Sequence, residues 1–318
     1  MIAREHFRWN TGDFKWSEGL PHADRGTPSH KISKARMRYH DPVDHQAEEV
    51  KTAEKAIVEQ VAQVFKKMAP KVAKQIVTQL AGKLGKAGKA NLNESVTVDL
   101  SALNALATGV TATQLKKVAG ASSKRTMAQI GPNAPSELVD QVNERAEAYA
   151  EERAAELVGM KWVDGVLVEN PDAEWAISDT TRTILNSLIN NAMVEGTDLN
   201  DLAQEIEEST AFSHDRAMMI ARTETIIANN AGAMVGYRSA RDDLGIVVKK
   251  EWLMGEGACP ICEANAAQGP IDLDEDFESD DDAPPAHPNC RCAIAPVVID
   301  DEGNETVDEG SAEESDEE

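Results

Sequence analysis

The four cysteines of this 318-residue chain, Cys259, Cys262, Cys290 and Cys292, crowd into one short stretch near its C-terminal end. With His287 they spell Cys-x2-Cys, an interval of 24 residues, then His-x2-Cys-x-Cys. Thiolate and imidazole groups are the ligands of tetrahedral zinc, and two close pairs joined by a long loop are the usual way a chain closes a structural site. In a reducing compartment such a cluster points to metal before disulfides. Five donors are present for a four-coordinate ion, so the spacing leaves the ligand set open. A reduced cluster or an oxidisable pair, shaped by its loop alone, fits the same residues. A catalytic zinc would need an open position and an acid or base beside it. The His-x-Glu that precedes Pro-Cys-x-x-Cys in zinc deaminases is missing, and the ligand order is reversed.

A second motif, Ala221-Arg222-Thr223-Glu224, falls in a helical pattern. Arg222 and Glu224 are two positions apart, face different sides of a helix and cannot pair with each other. Each must find a partner elsewhere, as an architectural pin does. An enzyme reading remains as the alternative: a zinc-dependent hydrolase or transferase using the Cys/His cluster, with Glu224 or Glu263 as base.

Charge divides the chain that positions these motifs. The net of −24 is unevenly spread, balanced over residues 1–50, +9 over 51–125 and −33 over 126–318. Residues 300–318 hold eleven acidic and no basic side chains, which predicts a disordered acidic tail. The basic stretch 51–125 could meet DNA phosphates through counterion release. Solvated lysines on an amphipathic helix account for it equally well. A DNA-binding regulator would need a basic recognition helix, yet the Cys-bearing part is strongly acidic. No apolar run reaches the length of a membrane span, and the charged first twenty residues lack the apolar core of a secretory signal. Maturation in a cytoplasm is expected.

Residues 1–45 mix Phe7, Trp9, Phe14 and Trp16 with basic residues, Gly and Pro, and show no helical or strand period. They read as an irregular docking arm, since aromatic and Arg side chains dominate interface energies; a loose terminus is the plainer reading. Residues 46–158 read as a helical, partly basic region. Asp44 is a candidate cap for a helix carrying Val50, Ile57, Val61, Phe65 and Met68, and Pro70 is expected to kink or break it before Val72, Ile76, Leu80 and Leu84. Gly82, Gly85 and Gly88, interleaved with Lys83, Lys86 and Lys89, suggest a mobile connection. Short helical patterns then run to Ile130, and Ser136 is a candidate cap of a helix to about Val158. From Gly159 the texture changes. A hairpin turning at Asp164-Gly165 is expected, then a helix capped by Asp179 or Thr180 and closed by Gly196, another capped by Asp198, and a third starting at Ser213 and running to about Arg241. Residues 245–248 and 252–254 read as strand.

Taken together, Ala221-Arg222-Thr223-Glu224-Thr225, Trp252, Cys259-x-x-Cys262, Gly269, Phe277 and Pro284-Pro285-Ala286-His287-Pro288-Asn289-Cys290-Arg291-Cys292 resemble the Mu F-like minor head proteins of tailed phages, the head morphogenesis family. The stretches Trp175 to Arg182 and Phe212 to Ala217 look like the family too, and the resemblance covers about Gly159 to Val298. It implies a non-enzymatic component of the virion, made in the host cytoplasm and placed in the head interior or at the portal vertex. Partners implied are portal and major capsid or scaffold proteins, with DNA contacted in some relatives for packaging or ejection. The fold class expected is mainly α: a helical N-terminal half, an α+β Mu F-like domain over 159–299 with a small β element and a Cys/His zinc-type loop unit, and the tail 300–318.

Overall fold

The computed structural model describes residues 47–84, 96–173, 176–255 and 257–300. Phe7, Trp9, Phe14 and Trp16, the cap expected at Asp44, the connection from Gly85 to Lys89, Trp175 and the tail beyond Asp300 lie outside them.

The first helix, α1 (Glu48–Leu84), runs through Pro70 without a break. Of the kink or break expected there, the break does not occur, and the balance of energies says why. An internal proline costs a helix about 3 kcal/mol. Beyond it Val72, Ile76 and Leu80 continue the stripe of Ile57, Val61, Phe65 and Met68, all buried. Each large apolar side chain contributes about 1.5 to 3 kcal/mol when taken out of water, so the continued stripe outweighs the lost bond. A 3-10 turn (Ser101–Leu103) leads into α2 (Asn104–Thr108) and then α3 (Val110–Ile130). Next comes α4 (Ser136–Glu156), whose N-cap is Pro135. Ser136 is therefore the first helical residue and not the cap; its hydroxyl turns to the Glu137 carboxylate.

Strands β1 (Met160–Val163) and β2 (Val166–Glu169) form the expected hairpin, with Trp162 opposite Leu167 and Val163 opposite Val166. Asp164 and Gly165 both have positive φ, 50° and 76°, as a two-residue turn with matching twist requires. Helix α5 (Ile177–Glu195) starts from Ala176, ahead of the expected caps, and leaves Asp179 in its first turn; Gly196 ends it in the left-handed conformation. Asp198 caps α6 (Leu199–Glu207) by accepting from the Asn200 N–H, and Ser213 caps α7 (His214–Leu244) by accepting from that of Arg216. After α7 come β3 (Val247–Leu253), α8 (Pro260–Ala267), β4 (Ile271–Asp272) and β5 (Ala293–Ile299). β3 lies between β4 and β5, antiparallel to both, with Trp252 opposite Ile294. The chain is thus mainly helical with small antiparallel sheets.

Two apolar cores result. The larger one joins the buried faces of α1, α3, α4, α5 and α6 to Ala217, Ile220, Ala221 and Ala228 of α7. The smaller one holds Ala233, Met234, Tyr237 and Ala240 of the same helix against Trp252, Phe277, Ile294 and three cysteines. Helix α7 therefore serves both. Its contact with α3 is close: a Cβ added at Gly232 would overlap the Ala119 carbonyl, and one at Gly236 would press on Thr126. No helix among the described residues is long and apolar enough to cross a membrane.

Candidate functional site

The cysteine cluster is assembled by three pieces of chain. Cys259 stands at the N-terminus of α8 and Cys262 lies inside its first turn. His287 and Cys290 flank a tight turn whose Asn289 has φ of 65°, a left-handed value that Asn tolerates better than most residues. Cys292 immediately precedes β5. All four cysteines are free thiols; Cys262, Cys290 and Cys292 are buried, and Cys259 is half-buried.

The structure places the five expected ligands in two groups of three that share Cys262. Cys262 Sγ lies 3.7 Å from Cys259 Sγ, 3.7 Å from Cys290 Sγ and 3.4 Å from His287 Nε2. Two triads form, Cys259-Cys262-His287 and Cys262-Cys290-Cys292, each with its ligand atoms within 4.8 Å of one another. Metal–sulfur bonds of about 2.3 Å and metal–nitrogen bonds of about 2.05 Å give tetrahedral edges of about 3.8 Å between sulfurs and about 3.5 Å between sulfur and nitrogen. The spacing and chemistry of the donors suit such an ion. His287 Nδ1 lies 2.9 Å from the Pro288 carbonyl, a contact that directs Nε2 toward the thiols. The Gly255 N–H donates to Cys292 Sγ at 3.4 Å. Hydrogen bonds from Cys262 and Cys292 hold the Cys290 thiol below its ordinary range, whereas Cys262, donating within the buried cluster, is raised.

The Ala221-to-Glu224 motif holds this unit against the helices. The Arg222 guanidinium reaches the Asn289 side-chain oxygen at 2.5 Å and Glu54 of α1 at 3.2 Å. Thr223 Oγ donates to the Met219 carbonyl and accepts the Asn289 N–H at 2.9 Å, so the two residues grip the turn between His287 and Cys290. Glu224 faces the other way. Its two oxygens take Nε and Nη2 of Arg153, both at 2.9 Å, with the carboxylate 4% and the guanidinium side chain 14% exposed. Burial opposes the charge on Arg153, but the Glu224 carboxylate outweighs it and raises the guanidinium above its ordinary value. Both motif residues thus pair outside the motif, as their spacing requires. Glu224 is fully engaged as a counterion, and Glu263 is exposed on α8.

Three further residues were not marked by spacing alone. Asn230, one turn and a half beyond the motif, is 1% exposed; its amide donates to the Pro284 and Cys292 carbonyls and its oxygen accepts the Ile294 N–H. Lys250 is fully buried in β3. Its ammonium donates to the Leu273 and Asp282 carbonyls and to the Asp282 carboxylate, and it sits 5.5 Å from the Phe277 ring centre. The strand expected as two pieces, 245–248 and 252–254, is one, and Lys250 lies inside it. Arg216 is buried with no acidic partner among the described residues. It donates to the Ala211 and Ile177 carbonyls and to the Thr180 and Thr181 hydroxyls, and lies over Phe65 at 5.4 Å. Burial lowers it to about 10. An Asn-Asn pair within a charge-free helical run is the one available sign of the first; Arg216 falls in the Phe212-to-Ala217 stretch of the resemblance, and nothing in the spacing marks Lys250.

Comparison with curated proteins finds no match, and neither does comparison with solved structures. Residues 183–295 match the model of the family described as Phage Mu protein F like protein, so the part of the chain that runs from within α5 into β5, including the gripping motif and the cysteine cluster, is Mu F-like.

Proposed function

We propose that this chain is a non-enzymatic minor protein of a phage head, acting in head morphogenesis beside the portal and retained in the virion. The observation that carries the reading is the coincidence of two things over one stretch. The Mu F-like segment 183–295 contains the Arg222, Thr223 and Asn230 contacts and the thiols they hold in place. Its two buried motif and helix-start charges are spent on packing: Glu224 neutralises Arg153, and Arg216 binds carbonyls and hydroxyls. In this reading the cluster of Cys259, Cys262, His287, Cys290 and Cys292 holds zinc as a structural ion that fixes the loop and supplies no chemistry to a substrate. Phe7, Trp9, Phe14 and Trp16 dock on portal or on major capsid or scaffold protein, and the basic residues of 51–125 touch phage DNA during packaging or ejection.

The test is retention. Heads purified after assembly with portal should contain the chain, and heads assembled without portal should lack it. Absence from both kinds of head overturns the head assignment, and equal amounts in both overturn the placement beside the portal.

A further inference from the structure

The four thiols of the cluster differ in what can reach them. Cys262, Cys290 and Cys292 are at most 1% exposed, whereas Cys259, at the start of α8, is half-buried. The Sγ of Cys262 lies 3.7 Å from that of Cys259, three positions on in the same helical turn. Residues three apart on a helix stand side by side, at a separation that a disulfide can close. Pro260 lies in the first turn between them, where its fixed φ suits the helix start. Cys262 has a second thiol neighbour, Cys290, also at 3.7 Å, but both members of that pair are shut away from a reagent.

We propose that Cys259 and Cys262 are a thiol–disulfide exchange pair, with Cys259 as the attacking thiol, Cys262 as the resolving thiol and a small disulfide of the glutathione class as the oxidant. The Cys259 sulfur gives up its proton and attacks one sulfur of the reagent; the reagent's S–S bond breaks, one glutathione leaves as a thiol, and a mixed disulfide remains on Cys259. The Cys262 sulfur then gives up its proton and attacks the Cys259 sulfur, and the second glutathione leaves as a thiol. Two protein thiols are oxidised to one disulfide while one reagent disulfide is reduced to two thiols. The inference rests on the metal reading in one respect: both sulfurs are ligands there, so the bridge and the full zinc site exclude each other. On the head reading, a chain made in a reducing cytoplasm and carried out in a virion passes from conditions that favour the ion to conditions that favour the bridge.

The test uses the full-length reduced protein, stripped of metal by a chelator, incubated with glutathione disulfide, quenched with acid and mapped by peptide mass. The expected product carries an intrachain bridge between Cys259 and Cys262, with Cys290 and Cys292 still thiols. Cys259→Ser should react about tenfold more slowly or less, because the thiols that remain are buried. Cys262→Ser should stop at a glutathione adduct on Cys259. A bridge to Cys290 or Cys292, no bridge at all, or an undiminished rate in Cys259→Ser overturns the proposal. Should Cys262→Ser lose its helical circular dichroism, the wild-type map and the Cys259→Ser rate decide. A sample preincubated with zinc keeps the two readings apart. Protection from the reagent supports both; oxidation at the unprotected rate with zinc still bound overturns the exclusion of ion by bridge; and no zinc retained refutes the metal reading while the map still decides the pair.

Discussion

Replacing Glu224 by Gln removes one negative charge and almost no volume from the crossing of α4 and α7. Arg153 would then keep Glu156, 3.2 Å away and 25% exposed, as its remaining carboxylate. Breaking a buried ion pair by deleting one partner costs about 3 to 5 kcal/mol, because the surviving charge stays desolvated. Glu156 and the amide oxygen of the new Gln offset part of that, which places the expected loss near the lower end, about 3 kcal/mol. For a chain with this much folded structure, that corresponds to a melting temperature lower by about 6 to 12 °C. Urea unfolding followed by circular dichroism measures the loss directly. A double variant, Arg153→Met with Glu224→Leu, separates charge from packing. Apolar replacement of both partners leaves no stranded ion, so the double variant should be more stable than either single one. A loss under about 1 kcal/mol for Glu224→Gln, or single effects that simply add in the double, would refute the assignment of Glu224 as a buried counterion.

Gly232→Ala should destabilise the chain by about 3 kcal/mol or more in urea unfolding, since the new methyl overlaps the Ala119 carbonyl and neither backbone can yield cheaply. Gly82→Ala, with open space around it in α1, should stabilise by up to about 1 kcal/mol in the same assay. Asn230→Ala strands two carbonyls and one N–H in the smaller core. It should cost about 3 kcal/mol and speed hydrogen exchange across 284–294 before it affects α1. A chain ending at Ile299 should bind duplex DNA more tightly than the full chain in a low-salt gel shift, with affinity falling steeply as salt rises; no binding by either would remove DNA from the proposed function.

Much of the framework was legible because local signals and burial agree. Asp164-Gly165 demands a two-residue hairpin, Ser213 and Asp198 cap as short polar residues do, and Gly196 ends α5 with a backbone that other residues resist. Legibility failed where long-range packing overrode a local rule. Pro70 sits inside α1 because the buried stripe continues past it, and Lys250 belongs to a strand because a loop more than twenty residues away supplies its acceptors. The cysteine cluster could be read as a set of five, since spacing brings thiols and imidazole into one unit. The arrangement within it could not, because Cys262 gains its central place from how α8 and the Asn289 turn meet α7. Likewise, the isolation of Arg222 from Glu224 follows from helical geometry, but their partners Asn289 and Arg153 lie far off in sequence.

A helix of 31 residues is about 46 Å long, and α7 contributes side chains to both cores along that length. The helical bundle and the cysteine-bearing unit therefore share one continuous element, and a change packed against either end of it bears on both. A displacement of the cysteine-bearing unit would be carried along this beam to α1 and α3, which pack on the same helix.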